Sequence, residues 1–376
     1  MTDHPATTQA HTTPGAPQAR PDQQFHSGEK QLRVAVAVDL RESLCRRIEE
    51  LEPRIELIRD HSLYRPMRGP ADWSGDPEHT RSAQEQEAFD TMVDSAEALF
   101  GIPDVDPDAL ARTVAQNPQL CWVHATAAGG GSQVKAAGLA REALDRIDFT
   151  TSAGVHGRTL TEFALFGLLA GAKGLPRLQE QQGRRHWSDR WEMKQLSQMV
   201  VLVVGLGGIG SEVAATVSGL GATVIGTSRS GTPVPGVDRL IAVEDLPRTA
   251  STVDAVVNTL PGTAATEKLL GEEFFAAMSE EAIVVNVGRG TVIDEEALVE
   301  ALDAGRVGFA ALDVFAVEPL PESSPLWGHP RVLVSPHTAA LNSGEEERIA
   351  QLFAENARRL LDGEELVNLV DTIEFY

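Results

Sequence analysis

Cysteine is nearly absent: the 376 residues hold two, Cys45 and Cys121. Two cannot build a disulfide framework, and with no CxxC pair or Cys/His cluster no metal site is expected. Lysine is scarce, five against 27 arginines, a bias of GC-rich coding rather than of function. Basic residues as a whole are outnumbered, 32 Lys plus Arg against 55 Asp plus Glu, for a net charge of −23. Such a chain is a poor match for nucleic acid or an anionic membrane surface. Long apolar runs are also missing. The nearest is 157–172, which is short for a bilayer span and bounded by Glu162 and Lys173. It reads as a helix buried between domains or subunits of a soluble, cytoplasmic protein.

What remains is ordinary globular composition, 42% hydrophobic and 23% charged. At roughly 150 residues per domain, the length suggests two or three domains. Residues 1–30 mix Thr, Pro, Gln, His and Ala without apolar periodicity, so they are expected to be a disordered tail. With no apolar core segment the tail is no secretory signal, and with one arginine, Arg20, it is no transit peptide. Its His4, His11 and His26 are read as linker residues rather than a metal tract.

Order is expected from Leu32, where LRVAVAV (32–38) has the pattern of a buried parallel strand. A helix follows over about 41–51. Residues 64–83 carry loop chemistry, and further strands are expected near 96–101, 121–124 and 147–150, with helices between them. From Met199 a second alternation starts. Strands are expected at 200–204, 222–226, 254–258, 282–286, 308–312 and 332–335. Helices are expected at 209–220, 272–278, 294–304 and 345–361. Two doubly wound parallel-sheet α/β domains follow from this.

VLVVGLGGIG (201–210) is a GxGxxG motif that closes a strand and opens a helix. Gly205 permits the tight turn, Gly207 lets the backbone approach a pyrophosphate, and Gly210 allows close helix–strand packing. The amides of Gly208 and Ile209 would meet the phosphates at the helix N-terminus. The next strand should end in an acid for the ribose of NAD, roughly 20 residues beyond the motif. Here it ends in Ser228 and Arg229. A hydroxyl and a guanidinium suit a 2′-phosphate, so NADP(H) is expected to be preferred, with NAD(H) possible.

Three more segments each follow a strand, where ligands bind in an open parallel sheet. They are NVGRG with Arg289, DVFAVEPLP with Asp313 and Glu318, and SPH with His337. With GxGxxG in this order, they resemble the D-isomer-specific 2-hydroxyacid dehydrogenases over roughly residues 95–370. Within that family the chain is similar to the glyoxylate/hydroxypyruvate reductase subgroup. The resemblance implies reduction of a 2-oxo acid to a D-2-hydroxy acid by hydride from NAD(P)H. It implies that Arg289 grips the substrate carboxylate, His337 donates the proton, and Glu318 orients the imidazole and favours its charged form. It also implies that Asp313 binds the nicotinamide carboxamide and that Thr266 lies beside the cofactor. The loop with Ala128 and Gly129 would bind the substrate carboxylate through backbone amides, although the family's usual S-A-G-V-D is here A-A-G-G-G.

The family fold implies a flavodoxin-like substrate domain, 31–151 plus 344–376, hinged to a Rossmann domain, 152–343. It implies a homodimer as well, with the 157–172 helix and the arm through Trp191 at the interface. An NAD(H)-sensing corepressor of the same superfamily is the alternative reading, separable by turnover. A formate dehydrogenase is disfavoured because its histidine partner is Gln where this chain has Glu318. Which 2-oxo acid is the substrate is not legible from the 64–73 and 127–131 loops.

Overall fold

A computed structural model describes residues 31–228, 231–373 and 375, arranged as two parallel sheets. The N-terminal tail expected at 1–30 lies outside the described residues. The first unit runs β1 (Leu32–Val36), α1 (Glu42–Leu51), β2 (Ile55–Ile58), α2 (Ala83–Asp94), β3 (Ala98–Phe100) and α3 (Pro107–Gln116). It continues with β4 (Trp122–Ala125), α4 (Gly131–Ala136), α5 (Arg141–Arg146) and β5 (Asp148–Thr151). Its strand order is β2-β1-β3-β4-β5, all parallel, which is flavodoxin-like winding.

Two helices follow, α6 (Gly157–Ala172) and α7 (Leu175–Gly183). The second sheet is built from β6 (Val200–Val204), β7 (Thr223–Thr227), β8 (Arg239–Ile241), β9 (Ala255–Asn258), β10 (Ala282–Asn286), β11 (Val307–Leu312) and β12 (Val332–Val334). Its helices are α8 (Gly208–Gly219), α9 (Leu246–Ala250), α10 (Glu272–Ala277) and α11 (Glu295–Asp303). The order β12-β11-β10-β9-β6-β7-β8 reverses direction beside β6, the switch point where an open α/β sheet binds its ligand. The chain closes with α12 (Glu345–Asp362), which stops at Gly363 in the left-handed region, φ +69°.

Last in sequence, α12 packs on the first sheet. Its Ile349, Phe353 and Ala357 are fully buried in that core, and Phe353 stacks on Trp122 with centroids 4.6 Å apart. α6 lies on the second sheet instead. It can do so because Gly167 carries no side chain: a Cβ there would stand 2.9 Å from both Ala311 and Val285. That packing accounts for the apolar run at 157–172. Among the described residues, no helix is long and apolar enough to cross a membrane.

Elements expected from sequence recur within a residue or two. β2 and β8 were not foreseen, because each is an edge strand of four residues or fewer without a continuous apolar run. α2 was missed as well, although it opens with a capping box in which Ser82 and Glu85 satisfy each other's backbone amides. The loop before it is anchored by Arg81, whose guanidinium pairs with Asp104 at 2.7 and 2.8 Å and lies 3.9 Å over the Phe89 ring. The Arg81 side chain is only 4% exposed, so this is one of the few deeply set ion pairs of the first unit.

Candidate active site

The phosphate loop takes the shape its glycines allow. Gly205 follows β6 at φ +97°, and its N–H donates to Thr227 Oγ1 at 2.8 Å. Gly210 lies so close to the turn that a Cβ would stand 1.8 Å from the Gly205 carbonyl oxygen. Gly207 and Gly208 are exposed, with nothing within 4 Å of a Cβ, so the N-terminus of α8 is open to a phosphate. Ile209 is half-buried on the inner side. This is the backbone shape a GxGxxG turn needs to receive a dinucleotide. β7 ends at Thr227 with no acid, and Ser228 is half-buried behind it. Arg229, the other half of the expected 2′-phosphate contact, lies outside the described residues.

At the carboxyl ends of β10, β11 and β12, Arg289, Glu318 and His337 line one cavity of about 370 Å³, together with Gly262, Gly290 and Phe315. His337 Nδ1 and Glu318 Oε2 are 2.7 Å apart. The other carboxylate oxygen, Oε1, accepts the Phe315 N–H at 2.9 Å. The ring therefore has its Nδ1 fixed and its Nε2 left for a reactant. Arg289 is exposed, and its Nη1 donates to its neighbour's carbonyl, Gly288 O, at 2.7 Å. Across the cleft stands Gly129 of the first unit: a Cβ there would be 2.9 Å from Arg289 Nη2. The loop with Ala128 and Gly129 thus meets the arginine that shares its expected ligand.

A larger hollow, about 480 Å³, lies between α3 and α5. It is mostly apolar, and Arg146 beside it already donates to the Pro118 and Leu120 carbonyls. Charged and hydrogen-bonding groups converge in the smaller cavity, which makes it the candidate site.

His337 has φ +53°, a left-handed conformation that costs a non-glycine residue of order 1–3 kcal/mol. Asp313 holds it there. Its Oδ1 accepts from Ser335 Oγ at 2.6 Å and from the Thr338 and Ala339 amides at 3.0 Å, while its carbonyl accepts the His337 N–H at 2.9 Å. The role expected of Asp313 toward the nicotinamide is thus joined by a structural one. Thr266 is similar. Its hydroxyl donates to Pro261 O at 2.7 Å and accepts the Thr263 N–H at 2.8 Å, closing its own loop.

Asn258, His124 and Ser152 have a share in the site and were not singled out from sequence, while Asn286 was read only as the first residue of NVGRG. Buried Asn258 and Asn286 bond side chain to side chain at 2.9 Å, and Asn286 Oδ1 also accepts the Gly288 N–H at 3.1 Å, shaping the turn before Arg289. The signal was present, since each polar Asn ends an apolar strand. In the first unit, His124 Nδ1 pairs with Thr150 Oγ1 at 2.8 Å and Nε2 with Ser152 Oγ at 3.2 Å. Complete burial pushes its pKa down to about 3, so the ring is neutral. Ser152 in turn donates its N–H to Ala127 O, supporting the loop that faces Arg289.

A group of Glu42, Cys45 and His61 has metal-like spacing. Glu42, however, already bonds Arg46 and Arg59, and the Cys45 thiol, pushed up to about 12 by burial, offers no thiolate.

The family model for the D-isomer specific 2-hydroxyacid dehydrogenase, NAD binding domain, matches residues 165–339. The glyoxylate/hydroxypyruvate reductase A of Yersinia enterocolitica is 33% identical over 217 residues, 58% of this chain and 68% of that protein. Alignments with the first three curated relatives span between 61% and 68% of their lengths. A D-isomer specific 2-hydroxyacid dehydrogenase family protein from Aeromonas salmonicida superposes with a TM-score of 0.72 at 28% identity, over 91% of this chain and 99% of that one. A D-isomer specific 2-hydroxyacid dehydrogenase from Xanthobacter autotrophicus, solved with NADPH and MES, gives 0.70 at 29%, over 93% and 100%. The chain belongs to the D-isomer specific 2-hydroxyacid dehydrogenase family.

Proposed function

We propose that this protein reduces a small 2-oxo acid of the glyoxylate or hydroxypyruvate type to its D-2-hydroxy acid, with NADPH preferred over NADH. The observation that carries the reading is the His337–Glu318 pair at 2.7 Å in one cavity with Arg289. Arg289 binds the substrate carboxylate through its planar fork and draws charge toward the carbonyl. A bound nicotinamide supplies the hydride. His337 Nε2 delivers a proton to the carbonyl oxygen as C2 accepts that hydride, and takes it back in the reverse direction. Glu318, ionised, holds Nδ1–H and stabilises the imidazolium from which the proton leaves.

The two chain crossings, near 151 and 343, serve as hinges, and the closed arrangement keeps Gly129 against Arg289 and excludes water. The cofactor preference rests on the missing acid after β7 and on the NADPH bound to the Xanthobacter relative. Exposed Phe166, Leu178, Trp187 and Met193, on α6, α7 and the arm that follows, form the face through which two copies pair.

The test is kcat/KM for glyoxylate, hydroxypyruvate and bulkier 2-oxo acids with each cofactor, on wild type and Ser228→Asp. Wild type should favour NADPH by roughly tenfold or more, and the aspartate should reverse the order by repelling the 2′-phosphate. No turnover with any 2-oxo acid would sink the assignment. A wild type that favours NADH would sink only the cofactor preference.

A further inference from the structure

The acid Glu295 takes no part in the chemistry proposed above, yet it reaches the loop that carries that chemistry. It is the first residue of α11 and half-buried. Its Oε1 accepts the Ala316 N–H at 2.7 Å. The preceding amide, Phe315 N–H, is the one that donates to Glu318 Oε1 at 2.9 Å. Two consecutive peptide groups are therefore held by two carboxylates, one from the loop itself and one from the next element along the sheet. The same two segments touch a second time. Gly290, directly after Arg289, lies so close to the Phe315 backbone that a Cβ would stand 1.8 Å from its carbonyl carbon. Segment 289–295 thus carries Arg289 at one end and a latch on the Glu318 loop at the other.

We propose that Glu295 is a positioning residue: by pinning the Ala316 amide it fixes the loop 314–318, so that Glu318 stays aimed at His337 at a set distance from Arg289. The ordinary role for an acid in a first helical turn is to complement the helix dipole. That role needs the charge. The role proposed here needs the reach of the side chain and an acceptor oxygen, and not the charge. The two separate by substitution. Glu295→Gln keeps reach and acceptor but loses charge. Glu295→Asp keeps charge and helix start but is one methylene too short.

The proposal rests on the reading of His337 and Glu318 given above, so the experiment carries one readout that needs no turnover. The Nδ1–H proton of His337, which reports the hydrogen bond to Glu318, is followed by NMR at one pH in wild type, Glu295→Asp, Glu295→Ala and Glu295→Gln, its signal assigned by its loss in His337→Asn. With Glu318 no longer aimed, that signal should move upfield or be lost to solvent exchange in the Asp and Ala variants and stay put in Gln. In parallel, glyoxylate reduction with NADPH is followed against pH. The Asp and Ala variants should lose kcat by roughly tenfold or more, with KM for NADPH unchanged, because small misplacements of catalytic groups are costly. In a Glu318→Gln background the added loss should shrink to less than about twofold, as expected for residues acting as one unit. A wild-type Nδ1–H signal in Glu295→Asp and Glu295→Ala overturns the proposal whatever the turnover. So does a Gln variant as impaired as Ala, or a loss undiminished by Glu318→Gln. Active Glu295 variants beside a dead His337→Asn leave the function standing and remove only this inference.

Discussion

The two sheets solve the same packing problem with different materials. In the seven-stranded unit, strands such as VVLVV, AIVVN and VGFAAL are nearly unbroken apolar runs, and the chemistry sits on the loops beyond them. In the five-stranded unit, polar groups lie inside the strands: WVHA and DFTT carry His124 and Thr150, both fully buried. The difference teaches where each half keeps its precision. A dinucleotide is held by backbone amides, so that half needs glycines at fixed places and an apolar scaffold beneath them. The five-stranded half also buries side-chain hydrogen bonds within its strands, joining Trp122 and His124 to Thr150 and His124 to Ser152, whose backbone N–H reaches Ala127 O.

The largest effect is expected where the two halves meet. Arg289→Ala should lower kcat/KM on any 2-oxo acid by roughly 10²–10³-fold or more, as the loss of a charge-stabilising donor does. Steady-state kinetics on a folded variant decide it. Near-normal kcat/KM would detach the seven-stranded half from the chemistry and break the comparison at its centre.

The second test concerns the five-stranded half alone. His124 is neutral in the folded chain with a pKa near 3, whereas in the unfolded chain it titrates near its ordinary 6.5. Between those values the unfolded state binds the extra proton, so stability is fully present above about pH 6.5 and is lost as pH falls toward 3, by up to about 1.4 kcal/mol per pH unit. Urea unfolding at several pH values, for wild type and His124→Asn, should show the steeper acid loss in wild type. Equal slopes would mean that this ring does not make the first unit acid-sensitive.

The smallest effect sharpens the account of the other half. Gly210→Ala meets the Gly205 carbonyl and should cost about 2 kcal/mol or more of stability. Gly207→Ala meets nothing within 4 Å and should melt within about 0.5 kcal/mol of wild type, yet bind NADPH more weakly because its methyl group stands where the pyrophosphate approaches. Melting curves and fluorescence titration separate the two. Unaltered NADPH affinity in Gly207→Ala would remove the phosphates from this loop.

The same contrast explains what could be read before the structure. Long apolar strands, the glycine spacing and the residues just past strand ends are local signals, so β6, α8, β10 and the Arg289, Glu318 and His337 segments were legible. β2 and β8 were not, since an edge strand of three or four residues needs no continuous apolar run. The Asp313 clamp on residues 335–339 was invisible for another reason. It joins positions 22 to 26 residues apart, and nothing in either segment marks the partner. The latch of Glu295 on Ala316 spans 21 residues and was hidden in the same way.

The placement of Phe353 has a consequence for how the chain folds as it is made. Every strand of the seven-stranded sheet is contiguous within residues 200–334, so that sheet needs no strand from elsewhere in the chain. The first sheet, though synthesised earlier, waits for α12, because its core stays open until Phe353 arrives to cover Trp122 and Phe100. The half that emerges first is therefore the half whose core is completed last.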